Sequence, residues 1–242
     1  MGLRSFLAKA FSFGLYDPKW RCNACGKEIF YGKYFCGNCE KELPYNDKTV
    51  CEHCGREIKN PADYCTTCKG VLVSVDKARS AFCYRKPVSG LIKKAKYANA
   101  KYLFDFFAEK LAYIYLKNGF ATETVCFVPM SAQRLKKRKY NQSEILARKV
   151  AALINLPVSD CIVKTKETKR QAGLGRTERL KNLTDSFRVA DKVSVRGKNV
   201  LLIDDVTTTG ATAEAVSAKL KKAGAIRVFF LSVASVPPKD GY

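Results

Sequence analysis

The sequence contains no apolar run that approaches the roughly 18 residues needed for a membrane-spanning helix. Its N-terminal stretch, residues 1–20, is interrupted by Lys9 and is not followed by the small-residue cleavage site of a secretory signal. These two absences argue against stable membrane insertion and against export. We therefore expect a cytoplasmic protein in which residues 1–20 form a short amphipathic helix.

Acidic residues are scarce, since the chain has 22 of them against 44 lysines and arginines, and its net charge is +22. Residues 1–80 hold 13 basic and 9 acidic residues, whereas residues 81–242 hold 31 and 13. The positive charge of the second part attracts phosphates, whether of a small molecule, a nucleic acid or an anionic membrane. A basic surface that serves only solubility is the alternative.

Eight of the eleven cysteines form four C-x-x-C pairs in an internal repeat, in which "CNACGKEI" recurs as "CEHCGREI". Two residues between cysteines let both thiolates reach one ion, and four thiolates around one ion are the arrangement that zinc favours in structural sites. We expect two structural zinc ions, because a module of about 50 residues does not bury enough apolar surface to fold by itself and the metal supplies the missing free energy. The predicted ligands are Cys22, Cys25, Cys36, Cys39, Cys51, Cys54, Cys65 and Cys68.

The tandem repeat favours sequential sets of four ligands, and an interleaved arrangement is the alternative. An iron–sulfur cluster and a disulfide framework are further alternatives, of which the second needs an oxidising compartment that nothing in the sequence indicates. The single histidine, His53, lies between two cysteines, but four thiolates already complete a site without it.

From Asp76 onward, short apolar stretches alternate with helical patterns. Strands are indicated by "RSAFCY", "TVCFVP", "CIVKT", "NVLLID" and "IRVFFLSVASV", and one helical pattern runs through "SGLIKKAKYANAKYLFDFFAEKLAYIYLKNG" to Gly119. This alternation predicts an α/β fold with a largely parallel sheet, whose ligands bind beyond the carboxyl ends of the strands. The predicted domains are a helix at 1–20, a double zinc ribbon at 21–75 and an α/β domain at 76–242.

The stretch "VLLIDDVTTTGAT" places Asp204 and Asp205 at the end of a predicted strand, directly before a loop rich in threonine. Amide N–H groups in such a turn, ahead of a helix, form an anion cradle that suits a phosphate. The two carboxylates suit vicinal hydroxyls, so the stretch predicts a site for a ribose 5-phosphate. An ordinary strand–turn–helix capped by threonine and aspartate is the alternative.

This stretch resembles the motif of type I phosphoribosyltransferases that binds PRPP (5-phosphoribosyl 1-diphosphate). With the zinc ribbons ahead of it, nearly the whole chain resembles the ComF family, a competence-associated group, also through "RLKKRKYNQSEILAR" and "RQAGLGRTERLKNL". The resemblance implies tandem zinc ribbons followed by a type I phosphoribosyltransferase-like domain. It also implies PRPP as a ligand, with Mg²⁺ bridging the diphosphate and the ribose oxygens.

The resemblance further implies roles for individual residues. Asp204 and Asp205 would hold the ribose hydroxyls and act as the catalytic pair of any transfer reaction. The 5-phosphate would lie against Val206, Thr207, Thr208, Thr209, Gly210, Ala211 and Thr212. The diphosphate would contact Met130, Ser131 and Arg134, in a turn that departs from the prolines and histidine usual in the family. A mobile hood would include Gln171, Gly173, Arg179 and Asn182.

Two basic segments combine positive charges with a tyrosine, as single-strand binding surfaces do. The candidate nucleic-acid contacts are Lys93, Lys94, Lys96, Lys136, Lys137, Arg138, Lys139 and Tyr140. Solvated helix faces or charges that serve the diphosphate are the alternative interpretation.

Three functions remain open from the sequence. The first is a ComF-like protein that handles incoming single-stranded DNA in natural transformation and carries a PRPP site. The second is an active phosphoribosyltransferase of nucleotide metabolism, although no general base is evident. The third is a non-catalytic adaptor that docks onto the helicase or the translocation machinery of DNA uptake.

Overall fold

The computed structural model describes residues 20–30, 34–46, 49–58, 64–65, 68, 74–98, 100–166 and 183–237. The chain divides into two compact units, residues 1–43 and residues 44–242. The predicted N-terminal helix, apart from Trp20, and the four predicted hood residues lie outside the described residues. Within the described ranges, no helix has the length and apolar character required to cross a bilayer.

The described strands are β1 (Lys77–Cys83), β2 (Thr124–Phe127), β3 (Ile162–Lys164), β4 (Phe187–Val189), β5 (Asn199–Thr207) and β6 (Arg227–Ser235). Four of them form a parallel sheet in the order β1-β6-β5-β2, and β3 pairs with β4 in a separate antiparallel sheet. The described helices are α1 (Gly37–Lys41), α2 (Val88–Tyr97), α3 (Leu103–Lys117), α4 (Ala132–Arg138), α5 (Gln142–Ile154) and α6 (Ala211–Lys222).

Strand β5 lies inside the sheet, and this position explains its continuous apolar run. Residues 200–203 are fully buried, as expected for a parallel strand that is covered on both faces. Val200 and Leu202 share one core with Val216 and Leu220 of α6. Beyond this run the strand continues through both aspartates to Thr207, so the acid pair lies within the last residues of β5.

The long helical pattern before β2 forms two helices rather than one. Ala98 leaves the helical conformation at φ −112° and ψ 24°, which ends α2, and α3 begins at Leu103. Each helix buries its own apolar face, Leu91 and Ile92 in α2 and Phe106 and other side chains in α3. The break therefore lets two apolar faces pack at different angles, which a single straight helix would not allow.

The second zinc ribbon packs directly on the edge strand β1. The backbone N–H of Ala78 donates to the His53 carbonyl at 2.6 Å, and the Arg79 guanidinium donates to the Glu52 carbonyl at 2.7 Å. Gly55 adopts φ +64°, and a Cβ atom there would lie 2.6 Å from the Ala78 carbonyl oxygen. A glycine is thus required by both the backbone and the close approach, and the ribbon covers the exposed edge of the sheet.

Candidate functional site

Asp204 and Asp205 form an acid pair at the carboxyl edge of the parallel sheet. The Asp204 Oδ1 atom accepts a hydrogen bond from Ser143 Oγ at 2.7 Å and another from the Asp205 backbone N–H at 2.8 Å. Ser143 lies in the first turn of α5, so the start of this helix lies beside the end of β5. The pair is therefore held by hydrogen bonds to one of its carboxylates.

Asn141 fixes the start of α5 at this edge. Its side-chain oxygen accepts from the Ser143 N–H at 3.1 Å, and its Nδ2 donates to the carbonyl of Val128, directly after β2, at 3.0 Å. Because β2 and β5 are neighbouring parallel strands, their carboxyl ends meet here. The stretch "NQSEILARKVAALIN" predicts an amphipathic helix from Asn141 onward, and the structure confirms it as α5 with Asn141 as its cap, whereas the contact of Ser143 with Asp204 had no signal in the sequence.

The electrostatics of the pair favour a carboxyl group that titrates near neutrality. Burial raises the pKa of Asp204 from 3.8 to about 7, and the Asp205 carboxylate acts in the same direction. The hydrogen bond from Ser143 and the charge of Lys96 lower that pKa without cancelling the rise. A carboxyl group that is partly protonated near pH 7 both accepts and donates hydrogen bonds, which suits a diol.

Lys96, at the end of α2, forms an ion pair with the acid pair. Its Nζ lies 2.5 Å from Asp205 Oδ2, and both side chains are 16% exposed. The sequence suggested Lys96 only as a nucleic-acid contact, and its position beside Asp205 had no signal in the local pattern. Lys93 and Lys94, in the same helix, have exposed side chains.

The loop after β5 has the form of an anion cradle. Gly210 adopts φ +82° and precedes α6, whose first N–H groups have no partner within the helix. Thr207 is buried, whereas Thr208 and Thr209 are exposed on the loop. Thr209 Oγ1 accepts from the Ala211 N–H at 3.3 Å, so this hydroxyl pairs with the first N–H group of α6. Ala211 and Thr212 then form the first turn of α6.

The predicted diphosphate turn lies between β2 and α4. Met130 is half-buried, Arg134 is exposed, and Ser131 is 4% exposed at the start of α4. Ser131 Oγ and Nε2 of Gln142, which is 1% exposed, are buried polar atoms without a hydrogen-bond partner in the described structure. A buried polar atom left unpaired costs about 1–3 kcal/mol, so we expect a water molecule or a polar ligand to pair with these two atoms.

A cavity of about 620 Å³, which we call the cationic pocket, is connected to the acid pair through Lys96, which lines the cavity and pairs with Asp205. It is lined by Lys96, Tyr97, Lys101, Arg134, Lys137, Arg138, Lys139 and Tyr140. Among the residues that the structure describes, the lining combines six basic side chains with two tyrosines and contains no carboxylate. Such a lining attracts a polyanion that also carries rings able to stack.

The two tyrosines of the cationic pocket are held in place. Tyr140 Oη donates to the Ala95 carbonyl at 2.6 Å, and the Lys101 Nζ lies 4.7 Å from the centre of the Tyr140 ring. The Arg138 guanidinium lies 5.0 Å from the centre of the Tyr97 ring and donates to its hydroxyl at 2.6 Å. Of the predicted nucleic-acid set, Lys93, Lys94 and Lys136 lie outside this lining.

Comparison with known proteins identifies the family. The family model of the double zinc ribbon domain matches residues 14–69, and that of the phosphoribosyl transferase domain matches residues 141–239. The chain is 31% identical over 211 residues to competence protein F of Haemophilus influenzae, across 84% of this chain and 79% of that protein. The chain belongs to the ComF family.

Two further similarities accompany this result. The ComF-family chain is 26% identical over 151 residues to DNA utilization protein YhgH of Escherichia coli, across 60% of this chain and 66% of that protein. A solved structure of glutamine PRPP amidotransferase from B. subtilis superposes with a TM-score of 0.39 at 19% identity, over 54% of this chain and 26% of that chain.

The fold of this ComF-family protein is thus a tandem zinc ribbon followed by a phosphoribosyltransferase-like α/β domain with a parallel sheet, as the sequence predicted. The predicted cysteines come together as two sequential sets of four, with the sulfur atoms of each set within 4.8 Å of one another. The Cys25–Cys36 and Cys54–Cys65 sulfur pairs are 3.8 and 3.7 Å apart. Tetrahedral zinc with Zn–S bonds of about 2.3 Å separates its sulfurs by about 3.8 Å, so both sets fit structural zinc.

Proposed function

We propose that this ComF-family protein binds PRPP with Mg²⁺ at the carboxyl end of β5 and handles incoming single-stranded DNA during DNA uptake. The observation that carries the proposal is the adjacency of the acid pair, the phosphate-type loop and the cationic pocket. Lys96 belongs to both the acid pair's surroundings and the pocket. The names of two relatives, competence protein F and DNA utilization protein YhgH, support the DNA side of the proposal.

Each part of the sugar diphosphate has a matching set of groups in this proposal. Asp204 and Asp205 would hydrogen-bond to the ribose hydroxyls, and the loop of residues 206–212 would receive the 5-phosphate. The turn with Met130, Ser131 and Arg134 would face the diphosphate, and the hood would close over it. Bound Mg²⁺ would neutralise charge on the diphosphate, since magnesium prefers phosphate and carboxylate oxygens. The unpaired buried atoms of Ser131 and Gln142 fit a polar ligand of this kind.

A direct test measures PRPP binding by calorimetry and by the shift in melting temperature, in the presence and absence of Mg²⁺. A ligand that binds only the folded state at about 100 times its Kd stabilises that state by about 2.7 kcal/mol. Asp205→Asn should lose most of this stabilisation, whereas Asp185→Asn, an exposed carboxylate outside the site, should retain it. Equal PRPP responses of the two variants, or no response of the native protein, would contradict the proposal.

A second candidate function is phosphoribosyl transfer, because the phosphoribosyl transferase family model covers the acid pair and its loop. In this reaction, diphosphate leaves the ribose C1 through an oxocarbenium-like transition state. Release of labelled diphosphate from PRPP, with and without candidate bases and DNA, tests this function. Binding of PRPP without diphosphate release under all these conditions would favour a regulatory or adaptor role in the uptake machinery.

A further inference from the structure

Lys96 lies between two subsites, the acid pair and the cationic pocket. Its ammonium group can pair with Asp205 or with an anion bound in the pocket, but not fully with both. Its Nζ lies 2.5 Å from Asp205 Oδ2, where both side chains are 16% exposed. The same side chain lines the cationic pocket together with five other basic residues. While the ion pair with Asp205 persists, the Lys96 charge is compensated and contributes little to the field inside the pocket.

A sugar diol at the acid pair would weaken this ion pair. A ribose hydroxyl that hydrogen-bonds to Asp205 competes with the Lys96 ammonium for the same small carboxylate. The ammonium, less strongly held by Asp205, is then able to contact phosphates bound in the cationic pocket, which its side chain already lines. A strand bound in the pocket therefore gains a contact that is absent when the sugar site is empty.

The backbone around Lys96 restricts this change to its side chain. Tyr140 Oη donates to the carbonyl of Ala95 at 2.6 Å and approaches the Lys96 carbonyl at 3.4 Å, which ties the end of α2 to the wall of the pocket. Ala95 is 1% exposed, so α2 is also held by its packing. Any rearrangement between the two subsites is therefore confined to the Lys96 side chain and does not involve a shift of α2.

We infer that Lys96 couples the two subsites, so that binding of a ribose 5-phosphate at the acid pair raises the affinity of the cationic pocket for single-stranded DNA. By reciprocity, DNA in the pocket raises the affinity for the sugar by the same factor. This inference rests on the proposed function, because it requires both ligands to bind at the places assigned above.

The test measures binding of a fluorescent single-stranded oligonucleotide by anisotropy, with and without saturating ribose 5-phosphate. This sugar is chosen because it lacks the diphosphate of PRPP, which would itself compete for the basic residues. We expect the sugar to tighten DNA binding about 5-fold, at the lower end of usual coupling factors. One additional phosphate contact should also make the slope of log affinity against log salt more negative by about 0.7.

Variants of the ion pair separate this coupling from a general charge effect. Lys96→Gln should abolish the response of DNA binding to the sugar. Asp205→Asn should tighten DNA binding about 5-fold without any sugar, because Lys96 is then always released, and this gain should largely disappear in the Lys96→Gln/Asp205→Asn double variant. Lys93→Gln, on the exposed side of the same helix, should leave the ratio of affinities with and without sugar unchanged.

The inference is overturned if sugar and DNA both bind but do not affect each other, or if Asp205→Asn tightens DNA binding equally with and without Lys96. A sugar that weakens DNA binding overturns it as well. These outcomes differ from failure of the proposed function, in which calorimetry detects no binding of ribose 5-phosphate or PRPP, or anisotropy detects no binding of DNA.

Discussion

Replacement of Asp204 by asparagine should make this protein more stable, because the native carboxylate is held where its charge is unfavourable. Burial raises the pKa of Asp204 from 3.8 to about 7, with a further contribution from the Asp205 carboxylate. An asparagine retains an oxygen that accepts the hydrogen bonds from Ser143 Oγ and the Asp205 N–H, at 2.7 and 2.8 Å in the native protein. The substitution therefore removes a charge and leaves the local geometry in place.

The size of the effect follows from the pKa. A rise of about 3 units corresponds to about 4 kcal/mol, since one unit is worth about 1.4 kcal/mol. Solvent reaches part of the Asp204 side chain, so we expect a gain of about 2–4 kcal/mol in the free energy of unfolding. Between about pH 4 and about pH 7 the folded state binds more protons at this group than the unfolded chain does, so native stability falls as the pH rises through this range. The increase in the free energy of unfolding caused by Asp204→Asn should accordingly reach its full size above about pH 7 and vanish below about pH 4.

The assay is thermal unfolding of the zinc-loaded full chain at about pH 8 and about pH 5. For a chain of this size, 1 kcal/mol shifts the melting temperature by about 2–4 °C, so Asp204→Asn should melt roughly 10 °C higher at the more alkaline pH and less so at the more acidic one. Asp185→Asn removes a carboxylate that is 58% exposed and should change stability by less than about 0.5 kcal/mol at either pH. Asp204→Asn should at the same time lose PRPP binding, whereas Asp185→Asn should retain it.

Two results would refute this reasoning. If Asp204→Asn lowers the melting temperature at both pH values, the carboxylate contributes to folding rather than opposing it. If the gain is the same at both pH values, its cause is not the raised pKa of Asp204.

Three further predictions follow from the structure. Gly55→Ala should destabilise the protein by about 2–4 kcal/mol, because its Cβ would lie 2.6 Å from a backbone oxygen. Gly26→Ala, at φ +76° in the first ribbon, should cost only about 1–2 kcal/mol, because its Cβ would meet no atom of the described residues within 4 Å apart from its chain neighbours. Thermal unfolding compares the two variants, and equal losses would contradict the packing of the second ribbon on β1. Lys137→Gln should make the slope of log affinity for single-stranded DNA against log salt concentration shallower by about 0.7, and Lys136→Gln, outside the pocket, should change this slope less. A larger effect of Lys136→Gln in anisotropy titrations would show that the DNA does not bind in the cationic pocket. Removal of zinc by a chelator should lower the melting temperature of the α/β domain, because the second ribbon covers the edge strand β1. If calorimetry shows the same melting temperature with and without zinc, the stability of the α/β domain does not depend on the ribbon.

Much of the fold could be read from local patterns. The run at residues 200–203 is apolar throughout because both faces of β5 are covered. The cysteine repeat specifies the eight zinc ligands and favours sequential sets of four, which the structure confirms. Local patterns were less informative where burial is absent. Helix α4 has no buried residue, so no apolar periodicity indicated a helix there. The break between α2 and α3 was missed for another reason, because the helical spacing of apolar residues continues largely unchanged across it.

The sequence by itself determined the zinc ligands, the α/β alternation and the adjacency of two aspartates to a threonine-rich loop, because each of these depends on residues that are neighbours along the chain. Only the tertiary structure decided that Ser143 contacts Asp204, that Lys96 pairs with Asp205 and that basic residues of α2 and α4 line one pocket. These contacts join side chains of separate helices to one another and to the end of β5, and the elements meet because parallel strands bring their carboxyl ends to one edge of the sheet. Nothing in the spacing of residues within a single helix specifies which partner it will find there.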